Sequence, residues 1–239
     1  MEKDDYTHHI SQAFNKDLTA VRNHLMEMGG LVEKQVADAV QALLQADSEL
    51  AETVIENDDR VDDLEIQIDE ECSRILVLRQ PAASDLRMIV SITKAVADLE
   101  RVGDEATKIA RMALQLSEEG ESPRGYVEVR HIGTHVRRML HDALDAFARF
   151  DVERAVEVAA EDNEVDLEYR SAMRALVTFM MEDPRSISRV LNVIWTLRAL
   201  ERIGDHARNI CEQVVYLVKG KDVRHLTTEA MQAEVRKPR

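Results

Sequence analysis

Ala97-Asp-Leu-Glu-Arg-Val-Gly-Asp104 and Arg198-Ala-Leu-Glu-Arg-Ile-Gly-Asp205 are nearly one octapeptide written twice, 101 positions apart. Upstream, Asp58 and Asp62 around Val61 match Asp162 and Asp166 around Val165 at an offset of 104. The second copy is therefore three residues shorter between these landmarks. A period near 100 residues is well beyond the roughly 20–50 residues of a solenoid repeat and predicts a duplicated small domain. The segment Gly120-Glu-Ser-Pro-Arg-Gly125 carries two Gly, a Pro and a Ser and reads as the linker. The expected division is a first repeat over 1–120, a second over 121–220 and a C-terminal tail over 221–239.

Each half reads as three long helices, giving an all-α chain of two tandem three-helix bundles related by internal pseudo-symmetry. The pattern places them near 15–46, 48–79 and 84–118, then 126–149, 152–181 and 186–219. Pro81 and Pro184 interrupt the two halves at matching points. Ser84, Asp151 and Ser186 are expected N-caps, and Gly120 and Gly220 sit where helices should stop. A short helix is expected near Thr228–Val235. Ile92, Leu99, Val102, Ala106, Ile109, Ala113 and Leu116 recur at the spacing of a bundled helix, as do Val193, Leu200, Ile203, Ala207, Ile210, Val214 and Leu217.

Composition agrees. The 239 residues are 45% apolar and 32% charged, but only 4% aromatic, with 8 Gly and 4 Pro. A sandwich or barrel would need more turn formers and strand-favouring aromatics. The net charge of −15 opposes nucleic-acid binding, which requires a basic footprint. That charge is concentrated: residues 1–120 carry −14 and residues 121–239 only −1. Cys72 and Cys211 make neither a disulfide framework nor a four-thiolate zinc site, and read as packing residues. The amino-terminal residues lack an apolar signal core, and uncharged runs such as Ala39–Ala46 and Val190–Leu197 span eight residues. About 20 are needed to cross a bilayer, so a reducing cytosolic location is expected.

The chemistry lies in paired carboxylates. Glu100/Asp104, Glu201/Asp205, Asp58/Asp62 and Asp162/Asp166 are all spaced i, i+4, which stacks two acids on one helix face at a small repulsive cost. At about 100° per residue, the third-helix doublets point roughly opposite the apolar stripe, and Asp58 and Asp62 lie on the flank of theirs. The expectation is a shallow outward acidic surface able to hold Mg²⁺, Mn²⁺, Fe, Zn²⁺ or Ni²⁺. The competing reading is a solvated acidic face. Gly103 and Gly204 cost about 1 kcal/mol each relative to Ala within a helix and suggest a close helix approach or an uncrowded metal face. Arg101 and Arg202 could hold the neighbouring acids, bind phosphate or make ordinary ion pairs.

Other residues carry weaker signals. Asp85 and Arg87 follow the third-helix start; Asp85 complements the helix N-terminus, with partner binding the lesser alternative for both. His131 and His135 are i, i+4 and could share a metal, but such a pair without a third ligand is ordinarily surface. Glu128-Val-Arg-His131 fits the Glu-x-x-His of di-iron bundles, which require a second copy not found in this sequence. No Walker loop, dinucleotide fingerprint or nucleophile elbow occurs, so a catalytic reading has no anchor. Trp195 and Met180-Met181 read as core. Ile194, off the stripe, could pack between the bundles or against a second subunit.

The duplicated Leu-Glu-Arg-Val/Ile-Gly-Asp blocks, Arg79-Gln-Pro-Ala-Ala-Ser-Asp-Leu-Arg87, Leu144-Asp-Ala-Phe-Ala-Arg-Phe-Asp151 and Glu161-Asp-Asn-Glu-Val-Asp-Leu-Glu-Tyr-Arg170 resemble the PhoU family across nearly the whole chain. The resemblance implies two pseudo-symmetric three-helix bundles and a non-enzymatic regulator. It implies multinuclear metal clusters on motifs of Glu or Asp followed four residues later by Asp. Those motifs are met here by Glu100/Asp104 and Glu201/Asp205, and more loosely by Asp58/Asp62 and Asp162/Asp166. It further implies repression of phosphate-starvation signalling through contacts with the phosphate transporter ATPase subunit and a membrane-bound phosphate-sensing histidine kinase. The implied location is cytoplasmic, peripheral to the inner membrane through those partners, with a homodimer or higher oligomer. A ferritin-like metal-dependent enzyme and a structural helical spacer are the rival classes.

Overall fold

The computed structural model describes residues 12–118 and 126–236, and among these there is no strand. The first half comprises α1 (Gln12–Gln45), α2 (Ser48–Glu56), α3 (Asp58–Arg79) and α4 (Ala83–Glu118). The second comprises α5 (Tyr126–Arg149), α6 (Val152–Glu182), a 3₁₀ turn at Pro184–Ser186 and α7 (Ile187–Lys219). α8 (Thr228–Arg236) follows, where a short tail helix is expected, and packs on α6 through buried Met231 and Val235. The linker at 120–125 and its Gly120 stop lie outside the described residues.

The second expected helix is in fact two. Asn57 ends α2: its side-chain amide donates to the Thr53 carbonyl at 2.7 Å, and the chain restarts at Asp58. Short amide side chains compete with the backbone in this way. The second half has Glu161 at the matching position, and α6 runs through unbroken. Two expected caps also differ. Ser84 lies inside α4, which begins at Ala83. Ser186 precedes α7 without a capping bond and instead donates to the Asp183 carbonyl at 2.7 Å. Asp151 does cap α6, accepting from the Arg154 amide at 2.9 Å, and Gly220 ends α7 at φ 71°.

The duplication is visible in the joints. Ala46 (φ 54°) and Phe150 (φ 57°) end α1 and α5 in the left-handed region, and Asp47 and Asp151 cap the helices that follow. These pairs are each 104 apart. A left-handed helix stop favours glycine, and Ala46 is exposed with no packing to lose. Ala46→Gly should therefore stabilise the chain by roughly 0.5–1 kcal/mol, seen as a higher urea midpoint at unchanged slope.

α1, α3 and α4 pack together, α5, α6 and α7 pack together, and α4 lies along α7 between them. Contacts across this seam run antiparallel: Ser91 bonds the Gln213 carbonyl, Asp98 accepts from His206 and Asn209, and Arg202 pairs with Glu105. α1 and α5 cross beside it. A Cβ at Gly29 would stand 2.9 Å from Leu144, and one at Gly133 would stand 3.2 Å from Val40. Gly29 and Gly133 are equivalent by the offset of 104, as are Val40 and Leu144, so the contact is made twice with the halves exchanged. That reciprocity is the mark of a pseudo-twofold axis.

Because α4 and α7 are central, each buries 17 residues, more than one amphipathic stripe supplies. Trp195, expected in the core, is 62% exposed, and Met181 is 79% exposed, while Met180 is half-buried. Trp195 lies about 90° off the stripe of α7, far enough to reach solvent. Ile194 packs partly buried against the core, and Cys72 and Cys211 are buried. Burial pushes the Cys72 thiol up to about 11, which leaves it unreactive at neutral pH.

Candidate functional site

Two acidic faces form where the second and third elements of each half run together. In the first half, Asp58 and Asp62 on α3 meet Glu100 and Asp104 on α4, with Glu65 between them. Single carboxylate oxygens of Asp62, Glu65 and Glu100 all lie within 4.8 Å of one another. Arg101 spans the α4 doublet, with Nε 3.0 Å from Glu100 and a terminal nitrogen 3.2 Å from Asp104. Desolvation raises the carboxyl of Asp58, with Asp62 and Asp104 adding to it. Desolvation likewise raises Glu65, reinforced by Asp69 and Asp62, and Glu100, reinforced by Asp104 and Glu65. Half-buried carboxylates that repel one another are short of positive charge.

In the second half, Asp162 and Asp166 on α6 meet Glu201 and Asp205 on α7. Here side-chain cations intrude. Arg208 reaches Asp162 at 3.0 Å, Arg170 reaches Asp166 at 2.8 Å, and Arg198 reaches Glu201 Oε1 at 2.6 Å. The other oxygen of Glu201 is buried without a hydrogen-bond partner. Desolvation raises Asp162 despite Arg208, raises Glu201 with help from Asp205, and raises Asp205 with help from Asp162 and Asp166.

Asp62 in the first face and Asp205 in the second are exposed, as the expected outward surface requires, and the second face departs from it in part. Asp162 is 7% exposed and Glu201 only 8%. The reason is again the central position of α7: α6 packs along it and covers Glu201, while Asp205, one turn further on, stays exposed. Gly103 and Gly204 do not force an unusual approach. A Cβ at Gly103 would meet Asp58 and Gln35 oxygens at 3.4 Å, and one at Gly204 would meet Val136 and Val165 at 3.6 Å, ordinary contact. What they provide is a face without a side chain between the paired acids.

Glu65 escapes a reading based on the repeat, because its counterpart at offset 104 is Tyr169. The signal available was its position, i+3 from Asp62 on the same helix face. The basic and capping candidates lie elsewhere. Arg202, the counterpart of Arg101, crosses the seam to Glu105 at 2.6 Å, where Lys108 also binds at 3.0 Å. Asp85 is buried in the first turn of α4. The Arg87 guanidinium lies against Gly220 at the C-terminus of α7, where a cation complements the helix dipole.

The first face fits a metal by donor chemistry, with three converging carboxylate oxygens; in the second no three such oxygens lie that close among the described residues, and the feature open to a cation is the buried, unpartnered oxygen of Glu201. Asp62, Glu65 and Glu100, with Asp104 and Asp58 beside them, would hold a cation in the first half; Glu201, Asp205, Asp162 and Asp166 would do so in the second. An all-oxygen set suits hard ions such as Mg²⁺ and Mn²⁺.

Comparison with known proteins agrees with this architecture. The model of the PhoU domain family matches residues 25–113 and again 129–214, one match in each half. The chain is 67% identical over 235 residues to a phosphate-specific transport system accessory protein PhoU homolog of Pseudomonas putida, covering 98% of this chain and 92% of that one. It is 49% identical over 218 residues to the phosphate-specific transport system accessory protein PhoU of Escherichia coli K12, covering 91% and 90%. The crystal structure of PhoU from Pseudomonas aeruginosa superposes with a TM-score of 0.86 at 67% identity, covering 87% of this chain and all of that one. The phosphate transport system regulatory protein PhoU from Streptococcus pneumoniae gives 0.81 at 32% identity, covering 88% and 99%.

Proposed function

This chain belongs to the PhoU family, and on that premise we propose that it is an accessory protein of a phosphate-specific transport system that represses phosphate-starvation signalling. In this reading it is a non-catalytic adaptor. It docks the ATPase subunit of the phosphate transporter and a membrane-bound phosphate-sensing histidine kinase on their cytoplasmic sides. The observation that carries the reading is 67% identity over 98% of the chain to a protein named as an accessory protein of the phosphate-specific transport system. No helix among the described residues is long and apolar enough to cross a membrane, so contact with the membrane would come through partners. Ile187, Leu191 and Trp195 recur every four residues on α7 and are 42–62% exposed, an apolar strip suited to a partner or a second copy in a homodimer or higher oligomer.

The acidic faces enter this function as cation-loaded surfaces. Bound Mg²⁺ or Mn²⁺, or a cluster of Fe, Zn²⁺ or Ni²⁺, supplies the positive charge that the crowded carboxylates lack. Asp62, Glu65, Glu100, Glu201 and Asp162 would orient it, and the surface presented to partners would then be less acidic. The test is genetic. A strain lacking this chain should express its phosphate-starvation phosphatase in high phosphate, and the intact chain should restore repression. A chain with Glu100, Asp104, Glu201 and Asp205 all replaced by Ala should be helical and restore it poorly. Full repression by that variant would sink the role of the faces. Unaltered phosphatase in the deletion strain would sink the regulator itself.

A further inference from the structure

The two histidines left unused by the acidic faces acquire a third donor in the folded chain. His131 and His135 project from α5 toward α6, where one carboxylate serves both rings. Glu168 Oε1 is 3.1 Å from His131 Nε2 and 3.2 Å from His135 Nδ1. We propose that His131, His135 and Glu168 form a separate binding site for a zinc-class divalent cation, clamping α5 to α6 at the outer end of the second bundle.

Three features support it. Two histidines at i, i+4 on one helix face are the spacing by which a helix chelates zinc, and two imidazoles with one glutamate are a recognised zinc ligand set. His135 is 8% exposed, and its Nε2 is shut off from solvent without a hydrogen-bond partner, with Glu161 Oε2 standing 3.4 Å away. Glu161 is itself held at 2.9 Å by Arg138. A metal-bound imidazole characteristically turns its second N–H toward a carboxylate held in this manner, which fixes the ring and raises its basicity as a ligand. Finally, His131 and Glu168, though not His135, line an open cleft of about 290 Å³ between α5 and α6 together with Glu128, Ser171 and Ala175. That volume admits an ion with water in its remaining positions. Among the described residues only Asp62, Glu65 and Glu100 bring three donor atoms within 4.8 Å of one another, so binding at this second place requires His131, 68% exposed, to turn inward from its contact with Glu168.

Duplication does not account for the arrangement. At an offset of 104 the first half has Glu27, Leu31 and Leu64 in place of His131, His135 and Glu168, and Asn57 in place of Glu161. The donor sets also differ in kind. The acidic faces offer oxygen alone, whereas this site offers nitrogen, which zinc favours and Mg²⁺ does not.

The test is equilibrium dialysis of the metal-stripped full chain against Zn²⁺ in a large excess of Mg²⁺, which competes for the oxygen sites. One Zn²⁺ per chain should be retained. His131→Ala, at an exposed position, and Glu168→Gln should each weaken its retention at least about tenfold. The chain with Glu100, Asp104, Glu201 and Asp205 neutralised should keep it, which separates this site from the acidic faces. Unchanged Zn²⁺ retention in His131→Ala, displacement of all Zn²⁺ by Mg²⁺, or loss of Zn²⁺ in the neutralised chain would each overturn the proposal.

Discussion

Replacing Glu100 and Glu201 by Gln and Asp104 and Asp205 by Asn should make the metal-free chain more stable at pH 7 and deaf to Mn²⁺. The carboxyls of Glu100, Glu201 and Asp205 are raised by desolvation and by their acidic neighbours. The folded state therefore holds its protons to higher pH than the unfolded chain does. Stability from these groups is complete below the ordinary carboxylate range near 4 and falls as pH rises through their raised values. At pH 7 the charged forms oppose folding, and the neutral isosteres remove that penalty. Arg101 and Arg198 lose partners in the exchange, but they are about half exposed and such pairs contribute little. The net gain should be on the order of 1 kcal/mol after solvent screening. Thermal scans from pH 5 to 8 should show parent stability declining more steeply with pH than that of the variant. Addition of Mn²⁺ at about 100 times its dissociation constant should stabilise the parent by about 2.7 kcal/mol, roughly 5–10 °C in melting temperature for a chain of this size. The variant should not respond. Equal Mn²⁺ responses in the two chains would remove the cation from these faces.

This variant also marks where sequence and structure part. The repeated octapeptide, the i, i+4 doublets and the apolar stripes of α4 and α7 are local facts, so the long helices, the duplication and the four carboxylate doublets could be read directly. The burial of Glu201 and Asp162 could not. An angle measured from one stripe assumes one core face, and α7 packs against α4, α5 and α6, with α6 covering part of its polar side. Trp195 is a different case: its residue type suggests the core, but its angle of about 90° from the stripe lets it face out. Glu65 was hidden because Tyr169 breaks the repeat at its counterpart, and the third donor for His131 and His135 lies 33 residues beyond His135, at Glu168. Asn57 is the reverse case: one side chain bonding back to Thr53 splits a helix that its hydrophobic pattern would have continued. Pattern identifies elements; what surrounds an element depends on partners that pattern does not name.

Leu99→Ala and Leu200→Ala should each destabilise the whole chain, by about 3 kcal/mol within a usual span of roughly 2–5. The two leucines hold the same position in the two octapeptides and are both fully buried. If the halves were independent domains, each variant would lower the melting transition of its own half and leave the other in place. The seam argues otherwise. Asp98 on α4 accepts from His206 at 2.8 Å and Asn209 at 2.9 Å on α7, and Glu105, 3% exposed, depends on Arg202 from the other half. Unfolding either half would strip α4 or α7 from its neighbour and expose apolar side chains such as Val102 and Ile203, both fully buried. Leaving Glu105 without Arg202 would add the cost of a buried charge stripped of a partner. Opening one half alone thus forfeits its own core and the seam, while keeping only the other half's core. Both variants should therefore show a single transition at a lower midpoint, and hydrogen exchange should quicken in α4 and α7 alike whichever leucine is removed. Two resolved transitions, with protection lost in the mutated half only, would mean that the α4–α7 seam is a contact between separable domains and not a shared core.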